Sequence, residues 1–458
     1  MISKDIFIAT HRFGYGTSLS DIEAIGGEPK AWLEQQIRRD QVVPDFFKPL
    51  LTSEQAMKRL EPLLKMKKEL KKEKRFSTEE KQKIIKKEIK NTINNRMKEV
   101  LYRTQWAMQT QTPFVERMVH FWSNHFTVST TQKGVAPFAG SFEREAIRPY
   151  IFGRFSDMLK AVLQHPAMLI YLDNIRSIGP NSRVGKRRKK GLNENLAREL
   201  LELHTLGVQG GYSQFDVEQL ARMLTGWSLS KKATSNNRGV FEFYDRLHEP
   251  GDKILLGKKY PNQGVEEVLD AIEDLALHPS TAHFLATKIA RHFISDNPPE
   301  NVIKKLQKSY LQSKGNLKKV MLTLIALPEV WQNPMAKAKT PNDLIITTGR
   351  VLGASAALKE KELFFLFESL NQLPHTATSP AGWDDRAKSW LGPEAVLRRI
   401  EFCYFIARKT KQKNEPEAVL KQCLGEVASA NTRFAVLRAP SRLDALTLLM
   451  ASPEFQRR

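Results

Sequence analysis

Apolar residues recur along this chain mostly at helical spacing. Phe114, Met118, Phe121 and Trp122 form one such series, and Ile147, Ile151, Phe155, Met158, Leu159 and Val162 form another. Leu196, Leu200 and Leu203 line one side of a helix expected from Glu194 to Leu206, which Gly207 is placed to end. Ser213-Gln214-Phe215-Asp216 opens the next helix with the spacing of a capping box. Further helices are expected over 264–277, 280–295, 299–312, 315–326, 341–353 and 393–408, with Pro279 and Pro328 as breaks. Alternation replaces the helical period at Phe241 and Phe243, then at Ile254 and Leu256. The turn chemistry of His248-Glu249-Pro250-Gly251-Asp252 lies between, so one β-hairpin is predicted there.

The expected fold class is therefore mainly α: a large multi-helix body, one small β-hairpin and a projecting basic helical hairpin. That last element comes from residues 56–104. Leu60, Leu63, Leu64, Ile84, Ile85, Ile89 and Ile93 make a thin apolar stripe in a Lys/Glu background, and Ser77-Thr78-Glu79-Glu80 can cap a second helix. Residues 1–55 then read as the N-terminal part of the body. Residues 105–335 read as its centre, with the site motifs and the hairpin, and 336–458 as a C-terminal helical part packed on it.

Charge sharpens this picture. The formal net charge is +22, but residues 58–98 hold 16 Lys or Arg against 6 Asp or Glu, and 183–190 add a second basic cluster. Most of the excess thus sits outside the body. A basic arm suits a polyanion such as nucleic acid, held by sequence-blind, salt-dependent phosphate contacts. Phe76 is its lone aromatic, which argues against base stacking. The two cysteines, Cys403 and Cys423, have no metal-ligand spacing and suggest no disulfide framework. Met1-Ile2-Ser3-Lys4-Asp5 lacks a leader, and the apolar runs fall short of the ~20 residues needed to span a bilayer. A cytoplasmic protein without a transmembrane segment is expected, reaching the envelope only through a partner that carries it.

The densest chemistry lies in 193–207. On a helix Asn195, Arg198, Glu199 and Glu202 are neighbours, so two carboxylates, a guanidinium and an amide share a face. Such a face could hold a cation or an acid/base pair. The plain alternative is helical salt bridging, Glu194–Arg198 and Arg198–Glu202 both being i,i+4 pairs. Glu116 and His120 lie one turn apart, a metal-compatible spacing, but the zinc-protease HExxH pattern is absent. His125, after Asn124 at an expected helix end, is the better functional choice there. His248 and Lys253 flank the predicted hairpin turn, and His11 and Arg12 sit at the first loop. His283, Lys288 and Arg291 make a polar face read as solvated. The glycine-rich stretches match neither a P-loop nor a dinucleotide fingerprint, and no GxSxG elbow is present.

These motifs carry a resemblance. His11-Arg12-Phe13-Gly14, Phe121-Trp122-Ser123-Asn124-His125-Phe126, His165-Pro166-Ala167-Met168, Tyr171-Leu172-Asp173-Asn174, Gly191 to Gly207, Leu224-Thr225-Gly226-Trp227, His248-Glu249-Pro250-Gly251 and Ser379-Pro380-Ala381-Gly382-Trp383 look like the bacterial family called domain of unknown function 1800. The resemblance covers nearly the whole chain. It implies no settled reaction. It does imply a partner, because genes of that family often lie beside one for domain of unknown function 1501, which resembles the alkaline-phosphatase and sulfatase group. Ser123 departs from the family pattern, where a histidine is frequent, and the Lys-rich 58–98 segment is longer and more basic than the pattern.

One site is expected around the 193–204 helix. Glu199 or Glu202 would act as base, and His204, His125 or His248 as acid or ligand, with a divalent metal as possible cofactor. Asn124, Asp173, Asn174, Asn193, Asn195, Arg198, Lys253 and Trp227 would contact the substrate. Three functions compete: a hydrolase-like or metal-dependent enzyme acting on an anionic or carbohydrate substrate, a non-catalytic partner of a phosphatase-like protein, and polyanion binding through the arm.

Overall fold

A computed structural model describes residues 1–38, 43–60, 77–188, 191–230, 240–353, 358–410 and 415–458. The helices needed below are α1 (Leu19–Ile25), α2 (Pro29–Arg38), α3 (Thr78–Gln109), α4 (Pro113–His125), α5 (Phe155–Gln164), α6 (Asn195–Glu199), α7 (Gln214–Met223), α8 (Val265–Leu277), α9 (Pro279–Phe293), α10 (Glu300–Gln312), α11 (Leu317–Ala326), α12 (Pro341–Val351), α13 (Glu360–Ser369) and α14 (Pro393–Lys409). The protein is mainly α, as the periodicity predicts, and each helix expected between 264 and 409 is present. Local chemistry explains the boundaries. Ser77 with Glu80 and Ser213 with Asp216 close capping boxes at the heads of α3 and α7. Pro113, Pro279, Pro341 and Pro393 begin their helices, where a missing N–H costs nothing.

The segment expected as a basic hairpin is described in part: 61–76 lies outside the described residues, and its later portion lies in α3. Val100, Thr104, Ala107 and Met108 of α3 are buried, so the C-terminal half of this helix belongs to the body, against α12 and α13.

The predicted β-hairpin is corrected. Strand β2 (Phe241–Phe243) pairs not with the 254–256 segment but with β1 (Trp227–Leu229), in the register Trp227↔Phe243. Strand β3 (Lys253–Leu255) pairs with β4 (Lys258–Tyr260), in the register Leu255↔Lys258. The two-residue turn Leu256-Gly257 has positive φ at both positions, 49° and 77°, which matches the twist of antiparallel strands. The His248–Asp252 segment serves another purpose: His248 and Glu249 are buried and tied back to Thr225.

One apolar core runs from Ile2 to Phe455. Where α4 meets α9, Phe13, Phe114, Phe121 and Phe293 interlock with ring centroids 5.2 to 6.4 Å apart. Buried ion pairs lock helices across long sequence separations. Glu116 of α4 takes Arg148 in a two-point contact of 2.5 and 2.7 Å. Asp21 of α1 takes Arg350 of α12 at 2.6 and 3.1 Å. Among the described residues no helix is long and apolar enough to cross a membrane.

Candidate functional site

Aligned on one side of this core, α4, α9, the head of α12 and the segment 372–386 enclose a chamber of about 540 Å³. The first helix contributes Arg117, His120, Phe121, Ser123, Asn124 and His125; α9 contributes Phe284, Lys288, Arg291 and His292. Asn342 and Asp343 come from α12, and His375, Trp383, Asp384, Asp385 and Arg386 from the 372–386 segment. Tyr15 and Arg103 complete the wall.

Asn124 docks the last of these elements. Its Nδ2 donates to the Trp383 carbonyl at 2.9 Å, and its Oδ1 accepts from the Trp383 N–H at 2.8 Å. Gly382 makes this approach feasible. It sits at φ +81°, and a Cβ there would come within 2.4 Å of the Asn124 carbonyl. Asn124 therefore places Trp383, Asp384 and Asp385 in the wall.

Most charges of the wall are neutralised locally. Arg103 meets Glu143 at 2.8 Å, Arg117 meets Asp343 at 3.2 Å, and Asp385 meets His292 at 3.0 Å. Burial opposes ionisation of Asp385, but His292, Lys337 and Arg458 outweigh it and hold its carboxyl well below the usual range. Burial pushes His292 down to about 4, against the pull of Asp385. Burial, with Arg103 beside it, keeps His120 neutral. Its Nδ1 faces the Tyr15 hydroxyl at 2.6 Å, and its Nε2 is buried without a hydrogen-bond partner among the described residues.

Lys288 and Arg291 differ from the other cations. The Lys288 ammonium meets His125 Nδ1 at 3.0 Å and the Phe284 ring at 5.5 Å, rather than a carboxylate. Desolvation, opposed by Asp385 and reinforced by Arg291, brings its pKa down to about 8. Arg291 Nε is buried with no hydrogen bond among the described residues. His125 itself is fixed as a neutral tautomer. Its Nε2 lies 3.1 Å from the His204 carbonyl, which can only accept, so Nε2 carries the hydrogen and Nδ1 keeps its lone pair for Lys288.

The residues predicted as one site are divided among several places. Asn124 and His125 line the chamber. His204 lies beside His125, ring centroids 6.3 Å apart, but is fully buried and does not line the chamber, and neither ring nitrogen has a partner among the described residues. Glu199 and Glu202 form a separate half-buried acidic pair with Tyr171 and Tyr212 nearby. Burial, then Glu202, raises the Glu199 pKa, partly offset by Arg198. Arg198 bonds Glu194 at 3.0 Å and Gln214 at 2.8 Å at the surface, which realises the first of the two expected i,i+4 pairs. Asn195 is exposed. Asn193 caps that helix by accepting from the Asn195 N–H at 3.0 Å, and it donates to the Asp173 carbonyl at 3.3 Å. Asp173 sits at φ 55° and pairs with Arg176. Asn174 is consumed by the Leu224 and Trp227 carbonyls, both at 3.1 Å. Trp227 is fully buried against Phe241.

His248 and Lys253 belong to a closed interior network. Lys253 Nζ meets Glu267 at 2.9 Å, the Glu249 carbonyl at 2.7 Å and His248 Nε2 at 3.1 Å. The Glu116–His120 spacing is structural too, since Glu116 is taken by Arg148 and by Trp106 Nε1 at 2.8 Å. His11 and Arg12 are likewise buried, His11 on Lys339 at 3.0 Å and Arg12 on the carbonyls of Val330 and Asn333. Among the described residues no group of three or more His, Cys, Asp or Glu is arranged to hold a metal ion.

Sequence reasoning set aside Lys288 and Arg291 as a solvated face with His283. Only His283 of the three is exposed. The overlooked signal is that α9 contains no Asp or Glu at all. A solvated basic face usually carries acidic partners one turn away; here the cations turn inward.

Fold and site define a helical protein with a recessed, cation-rich chamber assembled from distant parts of one chain. The model of the family described as Protein of unknown function (DUF1800) matches residues 8–457, and the chain belongs to that family. No curated protein and no solved structure matches it.

Proposed function

We propose that the chamber binds a small anionic organic molecule. One observation carries this reading: Lys288 and Arg291 face a recessed cavity without a carboxylate partner among the described residues. Burying a cation is costly without a close counter-charge, and Asp385 acts on both only from beyond ion-pair distance, so an anion reaching them through the cavity is favoured. Phe121, Phe284 and Trp383 supply apolar walls, as small-molecule pockets commonly have.

Titration calorimetry with lactate, pyruvate, inorganic phosphate and glucuronate tests this. Arg291→Gln and Lys288→Met should each weaken the bound anion at least tenfold, about 1.4 kcal/mol. Arg198→Ala, a change on the separate surface helix, should leave binding intact. Absence of binding by every anion, or equal weakening by Arg198→Ala, overturns the reading.

A further inference from the structure

Among the described residues, three lysines lie against a histidine ring. Lys253 meets His248 Nε2 at 3.1 Å, Lys339 meets His11 Nδ1 at 3.0 Å, and Lys288 meets His125 Nδ1 at 3.0 Å. The first two are sealed. Lys253 is saturated by Glu267, Glu249 and Asn262, and Lys339 by the carbonyls of Phe455 and Arg457. Lys288 alone of the three borders the chamber, and its one hydrogen-bond acceptor among the described residues is the imidazole. That imidazole is held by its other nitrogen on the His204 carbonyl, which aims a lone pair at the lysine.

From this geometry we propose that Lys288 is a nucleophilic amine that forms an imine with an anionic aldehyde or ketone, His125 orienting the amine and Arg291 holding the anionic end. The proposal rests on the anion-binding reading above and adds a carbonyl to the ligand. In the first step the Lys288 ammonium loses a proton to water in the chamber, while an N–H of the amine stays on His125 Nδ1. The freed nitrogen pair attacks the carbonyl carbon, and the C–N bond forms as the carbonyl π bond breaks toward oxygen. The protons lost by nitrogen pass through that water to the oxygen, which departs as water while the nitrogen pair closes the C=N bond. Ammonium plus carbonyl gives iminium plus water, with no net proton and no change of oxidation state.

The site suits each demand of this step. An amine must be free of its proton to attack. With a pKa of about 8, about a tenth of Lys288 is neutral at pH 7, against well under a thousandth of an ordinary lysine. A carboxylate partner would have held the proton on nitrogen, whereas an imidazole that burial keeps neutral brings no counter-charge to hold it there. The chamber volume leaves room for a ligand larger than the smallest 2-oxo acids.

The test incubates the whole protein with pyruvate and sodium cyanoborohydride, which reduces an iminium to a stable amine. Peptide mapping should find a carboxyethyl group on Lys288 before any surface lysine, and excess lactate, an anion without a carbonyl, should suppress it. Lys288→Arg should keep lactate binding and abolish the adduct, and His125→Gln should slow labelling at least tenfold. The wild-type peptide map decides the matter even where a variant folds poorly. Lactate binding that depends on Arg291, with adducts absent or confined to exposed lysines, overturns the imine and leaves the anion site standing. Failure of every anion of the calorimetric panel to bind overturns the two together, and binding of phosphate or glucuronate without pyruvate overturns the imine alone.

Discussion

His204 is fully buried, and neither of its ring nitrogens has a partner among the described residues. Burial, with Lys288 nearby, pushes its pKa down to about 3. In the unfolded chain the same ring titrates near 6.5. The folded state therefore binds fewer protons: its stability is complete above about pH 6.5 and drains away as pH falls toward 3. At pH 5 the loss should be about 2 kcal/mol from this residue alone. Urea unfolding at pH 7.5 and pH 5 should show this loss, and His204→Leu should shrink the difference between the two pH values by that amount. An unchanged difference in the variant would refute the assignment. Asn124 gives the other residue-scale prediction. Asn124→Ala removes both bonds to the Trp383 backbone and should cost roughly 1–3 kcal/mol. Tryptophan fluorescence should shift as the 379–386 loop loosens, and far-ultraviolet circular dichroism should not.

At the scale of elements, α4 and α6 carry similar-looking charged motifs with opposite weights. Glu116 of α4 is buried and holds Arg148, Trp106 and through them two neighbouring segments. Glu116→Gln leaves a buried guanidinium without its counter-ion and should cost about 3–5 kcal/mol in chemical denaturation. Arg198 of α6 pairs with Glu194 at the surface, and Arg198→Ala should move stability by less than about 1 kcal/mol. Equal effects would mean that the burial assigned to these pairs is wrong. The helical period is blind to this difference, because Glu116 meets Arg148 from 32 residues away whereas Arg198 meets Glu194 within one turn. The strands teach the same lesson. Alternation at 241–243 was legible, but the second strand is Lys253–Leu255 with Ile254 outward, and the pairing was hidden: the Leu256-Gly257 turn puts a leucine at positive φ, and the Thr225–His248 contact joins residues 23 apart.

For the whole molecule, the chamber is a joint product of α4, α9, α12 and the 372–386 segment, and all four are anchored in one core. A ligand bound there should stabilise the fold globally, by about 2.7 kcal/mol at a hundred times its Kd. Thermal unfolding with a binding anion from the calorimetric panel should therefore shift upward as a single transition, and Arg291→Gln should abolish the shift. A shift that persists in the variant would place the anion elsewhere on this strongly basic surface.

Sequence alone determined the helical class, most helix boundaries and membership of the family, because periodicity, caps and prolines act within a few residues. It also singled out Asn124 and His125, through a polar pair at the end of an aromatic helix. Which polar groups are sealed and which face open space was decided only by tertiary packing. Lys253 and Lys288 are both lysines beside a histidine, and the absence of Asp and Glu from α9 does not by itself say which of them meets open space. Glu267 closes the one, while the chamber leaves the other uncovered. Burial and counter-charge come from residues distant in sequence, so they arise only when the chain has folded.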